Sequence, residues 1–136
     1  MNTDYSVDEL QFMGQVREWF EANLPADLKR KCELGVPLNK DDYVSWGRIL
    51  NSNGWAAISW PEEYGGAGWT ATQKHIFEQV SYETGAPLVY ESGVGMLGPV
   101  LLEFGSEAQK ARYLPRILNF DDFFVLVDGE EVDFDE

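Results

Sequence analysis

The sequence predicts an all-α fold: an orthogonal-type bundle of five or six helices, followed by an acidic tail that can form a β-hairpin. Apolar residues recur at three- and four-residue steps in separate stretches up to residue 118, and proline or glycine ends most of these stretches. Several stretches open on the Ser/Thr-x-x-Glu/Gln pattern that marks a helix N-terminus. With 136 residues, 44% of them hydrophobic, the chain is long enough for one domain with a buried core. We therefore predict a helical domain over residues 1–118 and a separate tail over residues 119–136.

The first helix is predicted to begin after Ser6, whose side chain can form a capping box with Glu9. Its apolar face is formed by residues at helical spacing: Leu10, Met13, Val16, Phe20 and Leu24. Pro25 stops this helix, although a short turn can continue through "ADLKRKC". Asn39 caps the next helix, which ends near Gly54, where a left-handed residue is easily accommodated.

Two further capping boxes open the helices on either side of an unusual fourth segment; they pair Thr70 with Gln73 and Ser106 with Gln109. The fourth segment, residues 88–104, is apolar on most sides, yet it contains Gly93, Gly95, Gly98 and Pro99. Each glycine lowers helix stability by about 1 kcal/mol relative to alanine, so another interaction must compensate. Small residues in an apolar helix allow either another backbone or a ligand to approach closely, and the pattern alone leaves both alternatives open.

Charge and composition exclude several classes of function. The net charge is −14, and residues 119–136 carry eight acids and no base. Such a field repels nucleic acid and anionic membranes, so neither is expected as a partner. No apolar run approaches the roughly 18–20 residues that cross a bilayer, and the acidic N-terminus lacks a signal segment. The single cysteine, Cys32, fits a reducing compartment, and we expect a cytoplasmic protein.

The tail after Leu118 differs from the helical part of the chain. It contains "VLVDGEEV", in which Asp-Gly lies between two strand-like runs, the signature of a two-residue hairpin. A lone two-stranded hairpin is marginal in water, so this segment is expected either to lean on the bundle or to fray.

The stretch "WPEEYGGAGWT", residues 60–70, raises the question of a phosphate site, because glycine-rich loops that open a helix often bind phosphates. The preceding "WAAISW" can form a strand, as in nucleotide-binding folds. Against such a site, the spacing is neither G-x-G-x-x-G nor G-x-x-x-x-G-K-[ST]. Glu62 and Glu63 would also repel a phosphate. We interpret the loop as a tight connection between helices, with phosphate binding as the alternative.

Two long segments resemble the acyl-CoA dehydrogenase family. "GWAAISWPEEYGGAGWTATQKHIFEQVSYETGAP" is similar to the family's Gly-Trp … Pro-Glu-Glu-Tyr-Gly-Gly-x-Gly stretch. "GPVLLEFGSEAQKARYLPRIL" resembles the segment that closes the family's N-terminal helical domain, a proline-containing helix followed by Gly-[ST]-x-x-Gln-[KR]-x-x-[YF]-Leu-Pro. With the opening helix "DELQFMGQVREWFEANLP", the resemblance covers about residues 5–118.

The resemblance implies a flavoprotein oxidoreductase of fatty acid metabolism with three domains: an N-terminal helical domain, a middle β-domain and a C-terminal four-helix bundle. Members desaturate acyl-CoA thioesters with FAD; a glutamate of the C-terminal domain removes the α-proton, and hydride passes to the flavin. After "YLPRIL" this sequence departs from the family pattern, through truncation, frameshift or deletion. We therefore expect the 136-residue chain alone to lack the catalytic base and most of the FAD site, and to be inactive outside the complete enzyme.

In the family, the helical domain walls one side of the acyl pocket, and the matching positions lie ahead of Pro99. The resemblance therefore implies that four residues line the acyl chain: Leu88, Glu91, Gly95 and Met96. Alternatively, these residues pack against a neighbouring helix. Because the family places its base in the C-terminal domain, no catalytic residue is expected here, and the resemblance identifies no cofactor-binding residue. His75, the single histidine, is not expected to form a metal site.

A second class of function competes with the enzyme domain. The chain can be a non-catalytic helical interaction module whose exposed apolar surface binds a partner subunit or a second copy of itself. Acyl-CoA is the expected ligand only in the complete enzyme.

Overall fold

A computed structural model describes residues 4–87, 92–122, 124–127 and 130–133. These residues contain six α-helices, and the prediction of an all-α fold is confirmed. The helices are α1 (Val7–Asn23), α2 (Ala26–Leu34), α3 (Lys40–Ser52), α4 (Ala71–Glu83), α5 (Gly98–Phe104) and α6 (Glu107–Leu118). The chain divides into two compact units: residues 1–38 with 69–88 form the first unit, and residues 39–68 with 89–136 form the second unit. None of the helices in the described ranges is long and apolar enough to cross a membrane.

All three predicted Ser/Thr capping boxes are present, at the N-termini of α1, α4 and α6. In each box the Ser or Thr side chain accepts a hydrogen bond from the backbone N–H three residues on. The Glu or Gln side chain at that position accepts one from the backbone N–H of the Ser or Thr. A fourth box, unrecognised in the sequence because its acid is aspartate, pairs Asn39 with Asp42 at the start of α3. Gly54 has the expected left-handed conformation, with φ of 76°. Local chemistry therefore sets most helix ends.

In the first unit, α1 packs against α4 through aromatic rings. The rings of Phe20 and Phe77 lie 5.5 Å apart, and Trp69 lies 5.3 Å from Phe77. Trp69 also meets Phe12 edge-on at 5.1 Å, the T-shaped arrangement that aromatic pairs favour. Val16 and Phe20 of the predicted apolar face of α1 are fully buried, as are Ile76 and Val80 of α4. Leu10, predicted on the same face of α1, is 53% exposed, so the buried face begins further along the helix.

The second unit is organised around a cluster formed by Ala57, Trp60, Leu114 and Ile117. Two of these side chains, Leu114 and Ile117, come from α6. The other two come from the connection between α3 and α4, which is not regular helix or strand. The possibility of a strand at "WAAISW" is therefore wrong, because this stretch forms turns and bends that place Ala57 and Trp60 in the core.

A turn after α6 fixes the start of the acidic tail. Phe120 adopts a left-handed conformation (φ of 57°), is only 4% exposed, and has its ring against Gly47 of α3. Arg48 donates to the Asn119 carbonyl at 3.1 Å, and the Arg116 guanidinium donates to the Asp122 carboxylate from Nε at 2.8 Å and from Nη2 at 2.5 Å. This paired geometry anchors the turn to α6 as well as to α3.

The expected hairpin is present, with β1 (Phe124–Val127) antiparallel to β2 (Glu130–Asp133). The register pairs Val125 with Val132, and the Asp-Gly turn between the strands lies outside the described residues. The β1 backbone comes close to the backbone of residues 92–97, so the hairpin leans on the bundle rather than standing alone. The division of the chain at residue 118 remains a prediction.

Replacing Phe120 by alanine tests this anchor. We expect Phe120→Ala to lower the free energy of unfolding by about 3–5 kcal/mol, because it empties a buried ring site. Phe104→Ala is the matched control, since Phe104 is 77% exposed, and it should change stability by no more than about 0.5 kcal/mol. Urea denaturation of both variants measures the difference, and equal losses would contradict a core role for Phe120.

The Asp122 ion pair gives stability a defined pH dependence. Hydrogen bonding from Arg116 holds the pKa of the Asp122 carboxyl below its usual value. A lowered folded pKa contributes stability that is complete above the unfolded value of about 3.9 and is lost as pH falls through the folded pKa.

Asp122→Asn should therefore cost about 0.5–1 kcal/mol near neutral pH, the range for an incompletely buried pair. The difference in free energy of unfolding between Asp122→Asn and the unsubstituted chain should disappear at pH values below the ordinary aspartate pKa. Denaturation series at several pH values measure this difference, and a difference that stays constant into strong acid would refute the assignment.

Candidate functional site

The glycine-rich loop closes on itself through its own backbone. A short 3₁₀ turn, Glu62–Tyr64, begins the loop. The N–H of Gly65 donates to the Glu62 carbonyl at 3.1 Å, and that of Gly66 donates to the Pro61 carbonyl at 3.0 Å. The N–H of Tyr64 also donates to the Pro61 carbonyl, at 2.9 Å. These N–H groups are already paired within the loop, whereas a phosphate cradle needs such donors turned toward the ligand.

Two glycines in this loop are required by geometry. Gly65 has a φ of 107°, a backbone conformation that residues other than glycine rarely adopt. At Gly66 an added Cβ would collide with the Trp60 carbonyl. The glycines therefore allow the chain to turn tightly back on Trp60, and the interpretation of the loop as a tight connection is confirmed.

The loop packs on the fourth segment through Trp60. This side chain is 5% exposed, and its indole Nε1 donates to the Val94 carbonyl at 3.0 Å. Its ring occupies the space beside Gly98, where a Cβ would collide with it. The described part of the fourth segment consists of a π-helix, Ser92–Leu97, followed directly by α5.

Two of the four predicted lining residues lie on this π-helix. Gly95 is exposed, and Met96 is 47% exposed. Val100 and Phe104 follow Met96 at four-residue spacing and are also exposed, so an apolar stripe continues along α5. The other two predicted residues, Leu88 and Glu91, lie outside the described residues. The assignment of these four residues to an acyl site therefore stays a prediction.

The remaining glycines of the segment serve packing. Gly98 receives the Trp60 ring, and a Cβ at Gly93 would lie 3.1 Å from Ile117 of α6. Close packing, one of the two alternatives left open by the sequence, therefore accounts for these two positions. Gly95 differs because it faces solvent.

Among the titratable groups of the described residues, the Glu83 carboxylate forms an ion pair with Arg17 at 2.6 Å. No group of three or more His, Cys, Asp and Glu in this part of the chain is placed to hold a metal ion. Hydrogen bonds from Arg17 and then Gln79 lower the pKa of Glu83, within the first unit. His75 is an exposed residue of α4, and the Cys32 side chain is half-buried.

A groove of about 280 Å³ lies between the glycine-rich loop and α6. Its walls combine apolar and charged side chains: Glu63, Tyr64, Gly65, Glu107, Lys110, Ala111, Leu114, Pro115 and Leu118. Lys110 lies 5.6 Å from the centre of the Tyr64 ring and 3.5 Å from Glu107. No local sequence pattern predicts this groove, because its two sides are distant along the chain.

The glycine-rich loop does not fit the pyrophosphate of FAD. The N–H groups of Tyr64, Gly65 and Gly66 are paired with carbonyls of the loop, and Glu62 and Glu63 begin it. A pyrophosphate needs free donors or cations instead.

These features define a helical domain in which a Trp-Pro-Glu-Glu-Tyr-Gly-Gly loop packs on a proline-containing helix. Residues 6–121 match the family model described as "Acyl-CoA dehydrogenase, N-terminal domain". The chain therefore belongs to the acyl-CoA dehydrogenase family, and the resemblance seen in the sequence is confirmed.

Curated relatives carry the same family name. The chain is 30% identical over 118 residues to acyl-CoA dehydrogenase IpdE1 of Mycolicibacterium smegmatis, covering 83% of this chain. It is 33% identical over 115 residues to acyl-CoA dehydrogenase IpdE1 of Mycobacterium tuberculosis, covering 81% of this chain. In both comparisons the chain spans 30% of the relative's length.

Solved structures agree with this placement. One, titled "Tcur3481-Tcur3483 steroid ACAD", superposes with a TM-score of 0.71 at 30% identity, covering 89% of this chain and 31% of that one. Another is the ChsE4-ChsE5 complex from Mycobacterium tuberculosis, with a TM-score of 0.66 at 26% identity, covering 95% of this chain and 33% of that one.

Adding a methyl group at Gly66 tests the loop geometry. Because the Cβ would meet the backbone carbonyl of Trp60, Gly66→Ala should lower the free energy of unfolding by about 1–3 kcal/mol. Gly14→Ala is the matched control: Gly14 lies within α1 with open space around its Cβ position, so alanine should add about 0.5–1 kcal/mol. Urea denaturation should give opposite signs for the two variants, and a neutral Gly66→Ala would contradict the close approach.

Proposed function

We propose that this chain forms the N-terminal domain of an FAD-dependent acyl-CoA dehydrogenase and walls one side of its acyl pocket. The α,β-desaturation of the acyl-CoA thioester then takes place only in the complete enzyme. The observation that carries the proposal is the family match over residues 6–121, combined with an exposed Gly95 and Met96 on the helix that the family places at this wall.

The chemistry of the exposed segment supports an apolar ligand. Met96, Val100 and Phe104 present a line of apolar side chains, and burying apolar surface contributes roughly 25 cal/mol per Å². A methionine side chain adapts its shape to irregular apolar partners. Gly95 adds no side chain that would narrow the space beside it. Leu88 and Glu91 complete the proposed lining.

The flavin belongs to the rest of the proposed enzyme. FAD supplies the redox step in this family, and the glycine-rich loop of this chain does not fit its pyrophosphate. The role left to this domain is to contact the acyl chain and to keep water from it, which strengthens electrostatic interactions at the reacting carbons. No proton transfer is assigned to a residue of this chain.

A second candidate is an interaction module that binds a partner subunit. It is favoured by the exposure of large apolar side chains, such as Phe104 at 77% and Val100 at 54%. The solved relative ChsE4-ChsE5 is itself a complex of two named chains. The strong negative charge disfavours self-association, so a less acidic partner fits better than a second copy.

Binding of an acyl thioester to the purified chain tests the first candidate. An acyl pantetheine is the suitable probe because it lacks the phosphates that a chain of net charge −14 would repel. Titration followed by NMR should move the Gly95 amide and the Met96 methyl signals, with a dissociation constant on the order of 1 mM for one wall of a site.

Met96→Gln should weaken this binding, because a polar amide would replace an apolar contact. Leu10→Gln is the matched control, since Leu10 is exposed to a similar degree, 53% against 47%, and lies on α1. Shifts that spread over α1 equally, or identical losses in the two variants, would refute an acyl wall at Met96.

A further inference from the structure

The π-helix before α5 lacks one backbone hydrogen-bond donor because of the proline that follows it. In an α-helix the carbonyl of Gly95 accepts from the N–H of residue 99, and in a π-helix the carbonyl of Val94 does so. Residue 99 is proline, which has no N–H. Whichever pattern the segment adopts, one carbonyl at this turn loses its helical donor. A carbonyl in a partly buried position needs another partner.

Trp60 supplies that partner from outside the helix. Its indole Nε1 donates to the Val94 carbonyl at 3.0 Å, which is the carbonyl that a π-turn would direct at Pro99. The same indole is seated against Gly98, so both the ring and its N–H contact the turn. Trp60 in turn is held by the loop, where the Gly66 N–H donates to the neighbouring Pro61 carbonyl.

We propose that Trp60 is a positioning residue that holds the π-turn open and so determines where Gly95 and Met96 stand. These two residues lie directly between the Val94 carbonyl and Gly98, the two points that Trp60 contacts. A return to regular helix would rotate them by a large fraction of a turn, since the π-turn contains one extra residue. Trp60 thereby sets the depth of the acyl wall and the length of acyl chain it accepts, a step that rests on the proposed function.

This role accounts for the combination of residues in the two motifs. The glycine-rich loop supplies a rigid support for the indole. Gly98 leaves room for the ring, and Pro99 leaves the Val94 carbonyl without a helical donor. Each part has a structural reason only in the presence of the other. The Trp-Pro-Glu-Glu-Tyr-Gly-Gly loop therefore acts on the acyl wall through hydrogen bonding and packing, without touching the ligand.

The test compares Trp60→Phe with Trp46→Phe in the full 136-residue chain. Phenylalanine keeps an aromatic ring but removes the indole donor, and Trp46 is an equally buried tryptophan of α3 in the same unit. The readout is the Met96 methyl signal in NMR spectra of the free protein. We expect Trp60→Phe to move this signal and Trp46→Phe to leave it in place.

Pro99→Ala provides the decisive background. This substitution restores an N–H at residue 99, so the carbonyl no longer depends on Trp60. In the Pro99→Ala background, adding Trp60→Phe should leave the Met96 signal unchanged. A Met96 signal that is unmoved by Trp60→Phe, or moved equally by Trp46→Phe, would overturn the proposal.

The wild-type chain gives a measurement that does not depend on any variant folding. A hydrogen-bond coupling between the Trp60 indole nitrogen and the Val94 carbonyl carbon should be observed, and its absence would also overturn the proposal. Acyl pantetheines of graded length then separate this proposal from the proposed function. Trp60→Phe should shift the preferred length, with affinity changing about fourfold per methylene group. The shift in preferred length rests on the acyl wall of the proposed function, whereas the Met96 signal of the free protein decides the role of Trp60 without any thioester.

Discussion

The contact of the Trp60 indole with the Val94 carbonyl and with Gly98 joins the two motifs that define this chain. A glycine-rich loop has many conformations open to it, and a helix with Gly98-Pro99 in it lacks both side-chain packing and a donor. The Trp60 indole supplies both, because its ring packs beside Gly98 and its N–H donates to the Val94 carbonyl. The loop is thereby fixed in place on the helix that carries Gly95 and Met96.

A similar arrangement is found after α6 in the second unit. Gly47 of α3 leaves space for the Phe120 ring, while Arg48 and Arg116 bind the backbone and the carboxylates around it. In both places a glycine on a helix accepts an aromatic ring from an irregular segment, and hydrogen bonds then fix the segment. The hairpin that follows begins from this anchored turn and runs close to the π-helix.

The regular elements were predictable because their determinants are local. Capping boxes at Ser6, Thr70 and Ser106 set the helix starts. The apolar periodicity of α1 predicted the buried Val16 and Phe20, although it also included Leu10, which is exposed. The Asp-Gly pair gave the hairpin for the same reason. Residues brought together from distant parts of the chain were not predictable. Neither the indole bond to Val94 nor the groove between the loop and α6 has a local signature.

The sequence also left a choice between a phosphate loop and a tight connection, and hydrogen-bond geometry decides it. The loop's donors point to its own carbonyls, an outcome that depends on how Pro61 turns and that composition alone does not specify. The acyl wall, in contrast, was suggested by family resemblance, and the structure adds the exposure of Gly95 and Met96 and a physical reason for the shape of their turn.

A domain exchange tests the central claim most directly. The N-terminal helical domain of a full-length acyl-CoA dehydrogenase relative would be replaced by residues 5–122 of this chain, and turnover would be measured over acyl-CoA substrates of graded size. The account predicts a flavin-containing chimera that desaturates acyl-CoA with a substrate preference different from that of the parent enzyme. A folded chimera that holds flavin but oxidises no thioester would contradict it.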